Sequence, residues 1–300
     1  MQIPSSFRAK IIGAFGDQGV EWLGTLEKTV QRYLKEWNLR LIAPVSNLSY
    51  NYVVQVKDRE ETLYILKLGV PGNDFQNEVK TIQLYDGEGC ARLIKADAEQ
   101  GAMLLELLMP GQMLSEVEDE SLVLQHYIKV WKAIRRPLPK DCSVPMIADW
   151  SAALDRYQQK FKDDDGPVAV DRIKMARDFF AELIATSEPE LLHGDLHHEN
   201  ILYSNQHGWM AIDPKGVGGD RYFDLISFLF NHLLDKENPK ALLAYRIEFF
   251  CEELELDCVR LLKAAIAMST LSVCWSIDDE DPEWNQTFQC TEWLVEMLCK

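Results

Sequence analysis

The chain has 300 residues, of which 47% are hydrophobic and 26% charged, with a formal net charge of −17. That is room for one large domain or two lobes with separate cores, and the charge argues against a nucleic-acid binder, because phosphate contacts need a basic surface. The same charge either draws in a cationic small molecule over a distance or simply keeps the protein soluble.

The opening MQIPSSFRAKIIGAFGDQGVEW carries one short apolar patch broken by Gly13 and Gly16, which is not a signal peptide. In TLEKTVQRYLKEWNL, residues Leu26, Val30, Tyr33, Leu34 and Trp37 recur at three- and four-residue spacing and predict a helix. The period then changes. RLIAPV, YVVQVKD and TLYILKL are short, rich in β-branched and aromatic residues, and separated by the polar turns SNLSYN and DREE, which predicts an antiparallel meander. NDFQNEVKTIQLYDG follows as a helix with Asn73 or Asp74 as N-cap and Gly87 as terminator. ARLIKADAEQGAMLLELL reads as two further strands around a polar turn.

From about residue 112 the pattern is mainly helical. It is interrupted by RRPLPKDCSVP and by a strand pair near 190–215, in which LL before His193 and WMAI before Asp213 flank a polar loop. RYFDLISFLFNHLL is apolar on nearly every side and predicts a buried helix. No apolar run reads as approaching the roughly eighteen residues that span a bilayer. Seven scattered cysteines, with no CxxC pair, fit reduced thiols in a cytoplasmic setting better than a disulfide framework or a zinc site. The outcome is an α+β chain: a small lobe of sheet and helix over 1–108, a connector, and a larger helical lobe over 109–300.

LLHGDLHHEN, residues 191–200, packs three histidines, two acids and an asparagine into ten positions. A zinc reading is poorly supported: His197 and His198 are adjacent, no HExxH places two imidazoles on one helical face, and no cysteine lies nearby. The oxygen and amide groups fit other chemistry. Phosphoryl transfer needs a carboxylate to accept the proton of an attacking hydroxyl, and hard oxygen ligands for Mg²⁺ against the phosphates. Asp195, then Asn200 five positions on, then Asp213 after WMAI, supply these parts in the order a kinase uses them.

HGDLHHEN with IDP resembles the catalytic and metal-binding segments of the aminoglycoside phosphotransferases, relatives of the protein kinases. Over most of the chain the resemblance is to the streptomycin 6-phosphotransferase (aminoglycoside/hydroxyurea kinase) family. It is carried by AFGDQGVEWL, NEVKTIQLYDGEGCARLI, GAMLLELLMPG, LLHGDLHHENIL, AIDPKGVGGDRYFDL and CWSIDDEDPEW, in that order. It implies a protein kinase-like two-lobed fold, with a small antiparallel-sheet N-lobe that binds ATP (or GTP). It also implies Asp195 as catalytic base, and Asn200 and Asp213 as ligands of Mg²⁺. Lys67 would hold the α- and β-phosphates and pair with Glu78. Ile65, on the same strand face as Lys67, would line the adenine pocket. The connector ELLMP, from Glu106 to Pro110 and including Leu108, would offer backbone groups to the purine. His193 and Asp224 would brace the loop.

Single residues have plainer readings. Lys67 alone reads as a snorkelling surface lysine, Glu78 as a solvated helix residue, and Asp213 before Pro214 as a turn former. The loop PVSNLSYN lacks the glycines of a protein-kinase flap, although Ser46 and Asn47 offer donors to phosphate. Gly194 stands where protein kinases carry an arginine, which fits a constitutively active small-molecule kinase. In SIDDEDPEW, Asp278, Asp279, Glu280 and Asp281 would meet the cationic groups of a streptomycin-like acceptor, with Trp275 and Trp284 stacking on it; the same stretch also reads as a solvated acidic loop over core tryptophans. The sequence leaves open a kinase of an endogenous hydroxylated metabolite, and a nucleotide-binding pseudokinase. The expected partner is a small, cationic, hydroxylated molecule rather than a nucleic acid or a membrane.

Overall fold

The computed structural model describes residues 3–45, 48–162 and 166–299. In chain order the elements begin with α1 (Ser5–Glu36), β1 (Arg40–Pro44), β2 (Tyr52–Lys57), β3 (Leu63–Leu68), α2 (Asn73–Tyr85), β4 (Leu93–Asp97), β5 (Ala102–Glu106) and β6 (Pro110–Met113). There follow α3 (Glu120–Ile134), β7 (Arg136–Pro137), α4 (Ile147–Lys160), α5 (Val170–Ala185), β8 (Glu190–Leu192), β9 (Ile201–Ser204), β10 (Gly208–Ala211) and β11 (Val217–Gly219). The chain closes with α6 (Ile226–Phe230), α7 (Pro239–Glu253), α8 (Cys258–Asp278) and α9 (Trp284–Leu298). They assemble into two compact units, one running through Gln112 and including Leu202–Ile212, the other formed by Met113–Ile201 and the chain from Asp213 onward.

In the first unit the meander forms as the alternation predicts, within an antiparallel sheet of order β1-β2-β3-β5-β4. Val54, Val56, Leu66, Leu68, Ala102 and Leu104 present one face, against which α1 buries Phe7, Ile11, Leu23, Leu26, Val30 and Tyr33. Burying aliphatic and aromatic side chains of this size stabilises by about 1.5–3 kcal/mol each. The helix runs much further towards the N-terminus than TLEKTVQRYLKEWNL, because it continues across a kink at Gly16, whose φ is 54°. Around α2 the caps differ from the expectation. Gly72 precedes the helix without a side-chain cap, and Asp86 takes the left-handed C-terminal position ahead of Gly87.

WMAI does not pair with the strand before His193. It lies in the hairpin of β9 and β10, whose sheet has the order β10-β9-β6, and Leu202, Met210 and Ile212 join Ala91 and Leu108 in a small core of the first unit. The strand before His193 is β8, paired instead with β7 and β11. This assignment returns 202–212 to the first unit, whereas the sequence reading kept 109–300 together.

The second unit is built on α8, which packs against α4, α5, α7 and α9. Contrary to the sequence reading, α8 is by length and composition apolar enough to cross a membrane, with a mean hydropathy of 1.4 over its best window. Here 61% of that window is buried, so neighbouring helices cover it. RYFDLISFLFNHLL is not one helix: a 3-10 turn over Arg221–Leu225 leads into the five residues of α6. The interruption has a cause. Buried Arg246 donates through Nη1 to the carbonyls of Phe228, Leu229 and Asn231 at 2.9–3.0 Å, ending the helix, while its Nε donates to Glu120 at 2.6 Å. The reduced-thiol expectation also fails for two cysteines. Cys251 and Cys258, at the facing ends of α7 and α8 with Cα atoms 5.5 Å apart, form a disulfide.

Candidate active site

In the first unit, Lys67 lies on β3 with its side chain only 2% exposed, and its ammonium donates to Glu78 of α2 at 2.5 Å. The snorkelling reading does not hold, since a buried ammonium needs a buried anion. Strand alternation explains the placement: Leu66 and Leu68 turn to the α1 core, so Ile65 and Lys67 face the other way. Ile65 is half-buried and sits opposite Leu105. Glu106 is braced: its carboxylate accepts from the Arg92 N–H at 2.6 Å and lies 3.3 Å from His207 Nε2. The Leu108 side chain is committed to the small core, so this connector can offer a ligand only backbone groups there. Ser46 and Asn47 lie outside the described residues.

In the second unit the loop after β8 is held from several sides. His193 is fully buried; its Nδ1 accepts the N–H of Asp195 at 3.2 Å, and its carbonyl accepts from Lys215 and Gly216 at 2.8 and 3.1 Å. Those two bonds stitch the segment beginning at Asp213 to the loop. Asp213 is exposed, at a φ of 58°, which is uncommon for a non-glycine residue. Gly194 has a φ of 80°, and its N–H donates to Asp224 at 2.8 Å. A Cβ at Gly194 would lie 3.0 Å from Val217 Cγ1 and 3.4 Å from both Lys215 Cβ and Trp150 Cη2, so space as well as φ favours glycine. Asp224 is buried on the 3-10 turn rather than on a helix. Burial raises its carboxyl to about 7, against the pull of the Gly194 and His193 N–H groups.

Asn200 Nδ2 donates to the Asp195 carbonyl at 2.9 Å. Because a carbonyl can only accept, this bond fixes the amide with its nitrogen inward and turns Oδ1 the other way. His197 faces Asp195 Oδ1 at 3.8 Å and Asn200 Nδ2 at 3.2 Å through Nε2, and Glu199 at 3.0 Å through Nδ1. Glu199 also meets His232; although burial opposes its ionisation, the two histidines hold its carboxyl down at about 2. His198 is stacked on Phe228, and burial lowers it to about 3, so it stays neutral. The outward amide oxygen of Asn200 and the exposed carboxylate of Asp213 are hard oxygen donors of the kind Mg²⁺ takes.

Residues 39–280 match the family of aminoglycoside/hydroxyurea antibiotic resistance kinases. The chain belongs to that family. With its relatives it is a phosphotransferase acting on hydroxyl groups. A streptomycin 6-kinase of Streptomyces glaucescens is 25% identical, covering 93% of this chain and 92% of its own. A hydroxyurea phosphotransferase of Kitasatospora aureofaciens is 26% identical over 93% of this chain and 81% of its own. Among solved structures, an aminoglycoside phosphotransferase with ADP and hygromycin B aligns at a TM-score of 0.64 with 13% identity, covering 91% of this kinase and 98% of that chain. A choline kinase of Streptococcus pneumoniae aligns at 0.61 with 15% identity, covering 90% and 99%. The fold is therefore the protein kinase-like one, with an antiparallel-sheet lobe and a helical lobe.

Near the end of the kinase's second unit, Trp275 of α8 packs edge-on against Trp150 of α4, with ring centroids 5.9 Å apart. Since a Cβ on Gly194 would meet Trp150 at 3.4 Å, Trp275 is one aromatic ring removed from the loop of Asp195. Asp278 ends α8 and is already paired with Lys160 at 3.0 Å. Asp279 caps the helix through its N–H, Glu280 adopts a φ of 57°, and Asp281 accepts from the Glu283 N–H at 2.9 Å. Trp284 opens α9 beside Phe288. The sequence reading missed Trp150, Lys160, Lys215 and His232. Lys215 carried a usable signal, standing two residues after Asp213. The other three did not, because their roles depend on long-range packing.

Proposed function

We propose that this kinase transfers the γ-phosphoryl group of ATP to a hydroxyl of a streptomycin-like aminoglycoside, with Asp195 as the base. The observation that carries this reading is a part-exposed carboxylate on a loop whose backbone is immobilised by His193, Gly194, Asp224 and Asn200. Such a carboxylate can orient an acceptor O–H and take its proton without reorganising, which is how positioning contributes most to phosphoryl transfer. Asn200 and Asp213 would hold Mg²⁺, which supplies charge neutralisation at the nucleotide phosphates when bound. Lys67, oriented by Glu78, serves the α- and β-phosphates. Ile65 and the Glu106–Leu108 connector serve the base.

The acceptor reading is supported by the streptomycin 6-kinase relatives. Trp275 and Trp150 offer an aromatic wall against which a sugar or a guanidinium packs. A second reading, phosphorylation of an endogenous hydroxylated metabolite such as an amino alcohol or sugar, is favoured by the Lys160–Asp278 pair, which spends one acid of the proposed cation site. Adding streptomycin to protein and Mg-ATP is expected to release ADP. Asp195→Ala is expected to retain its fold and lose about 10²–10⁴-fold in turnover. Full activity in Asp195→Ala refutes the base assignment, and turnover only with metabolite acceptors favours the second reading.

A further inference from the structure

The loop that bears Asp195 carries no lysine or arginine of its own, and Gly194 occupies the position before it. The structure supplies a lysine from the next segment. Lys215 lies beside Gly194, its Cβ 3.4 Å from the position a Gly194 Cβ would take, and its ammonium lies 3.1 Å from Asp195 Oδ2. Its backbone is fixed: the Lys215 and Gly216 N–H groups both donate to the His193 carbonyl, and Val217 enters β11 opposite Leu192. The side chain is 59% exposed, so solvent screens the ion pair and it contributes little to stability. Folding therefore does not account for an anchored lysine in this place.

The chemistry does. An acceptor hydroxyl must come within about 2.6–3.2 Å of an Asp195 oxygen to lose its proton. The Lys215 ammonium already touches that carboxylate, so an acceptor oxygen bound to Oδ2 lies at most about 6 Å from it, and the phosphorus under attack about 3 Å beyond that oxygen. Negative charge on the non-bridging oxygens of the transferred group is what fixed cations stabilise in such a transition state. An ammonium on a flexible four-carbon stem can turn from carboxylate to phosphoryl oxygen as the site fills.

We propose that Lys215 is a catalytic residue, donating an N–H bond to a non-bridging oxygen of the phosphoryl group in transfer. In that step the acceptor oxygen gives its proton to Asp195 and forms the new O–P bond. The bond from the γ-phosphorus to the β,γ-bridging oxygen breaks, and ADP leaves with its electron pair. Lys215 stays protonated throughout. This rests on the phosphotransferase reading above, and it assigns the ammonium that the loop, without lysine or arginine, does not itself provide.

The test compares wild type with Lys215→Ala and Lys215→Arg in two assays: streptomycin-dependent ADP release, and the slow hydrolysis of Mg-ATP by water with no acceptor. Lys215→Ala is expected to lower kcat about 10²–10³-fold in the first assay, with KM for ATP and for streptomycin moved less than about threefold, and to slow hydrolysis in parallel. Lys215→Arg, or ethylammonium added to Lys215→Ala, is expected to restore part of the loss. A kcat within about threefold of wild type, or a loss confined to KM, overturns the proposal. Wild-type protein that hydrolyses Mg-ATP but leaves streptomycin unmodified contradicts the acceptor reading alone, and the hydrolysis assay then decides on Lys215. Wild-type protein inactive in both assays overturns the two together.

Discussion

The loop 193–200 and the acidic segment 276–284 belong to the same unit and both are rich in acids, but their side chains are held in different ways. In the loop, backbone and side-chain bonds from His193, Asp224, Asn200 and Lys215 converge on two residues, Gly194 and Asp195, and leave one carboxylate part-exposed. In the segment, Asp278 is paired with a lysine, Asp279 and Asp281 serve the local turn, and the remaining charge is solvated. A carboxylate placed by several independent constraints is suited to chemistry, which tolerates little displacement. One placed by few constraints is suited to attraction at a distance, which tolerates much.

That contrast is broken most severely at Gly194. Gly194→Ala puts a Cβ at 3.0 Å from Val217 and imposes a left-handed φ on an alanine. We expect turnover to fall about 100-fold from displacement of Asp195, with a stability cost of about 1–3 kcal/mol, read by steady-state kinetics and urea unfolding. A fully active Gly194→Ala would show that the loop is far less constrained than its bonds imply.

A smaller effect is expected beneath the loop. Asp224 has a carboxyl raised from 3.8 to about 7, so the folded state binds its proton more tightly than the unfolded chain. Its contribution to stability is full below 3.8 and is lost as pH rises through about 7. Asp224→Asn keeps an acceptor for the Gly194 N–H and removes the titration. Between about pH 5 and pH 8, the wild-type Tm is expected to fall by several degrees more than that of Asp224→Asn. Parallel profiles would place the ionisation elsewhere.

The smallest effects belong to the acidic segment. Replacing Asp279 and Glu280 with their amides is expected to raise KM for a cationic acceptor less than about threefold at physiological salt, and more at low salt. Trp275→Ala, by contrast, is expected to raise that KM about tenfold, with kcat retained. A large loss from the amides at high salt would mean direct contact, and would place the segment beside the loop in importance.

How much was legible follows the same division. The meander could be read because YVVQVKD and TLYILKL alternate cleanly, and Asp195, Asn200 and Asp213 could be proposed because phosphoryl transfer needs a base and hard oxygen ligands and kinases use them in that order. The partner of WMAI could not be read, since β9 and β8 offer similar short apolar runs and only packing with Ala91 and Leu108 chooses between them. Nor could the break in RYFDLISFLFNHLL, which is made by an arginine fifteen residues beyond Asn231. Lys160, distant in sequence from Asp278, changed the meaning of the acidic segment for the same reason.

Phosphorus NMR of streptomycin incubated with the protein and Mg-ATP asks most directly whether this chain moves a phosphoryl group onto an antibiotic hydroxyl. A new phosphate monoester resonance is expected to grow as ADP appears, and Asp195→Ala is expected not to produce it. ADP accompanied only by inorganic phosphate, or an ester formed equally well by Asp195→Ala, would contradict that expectation.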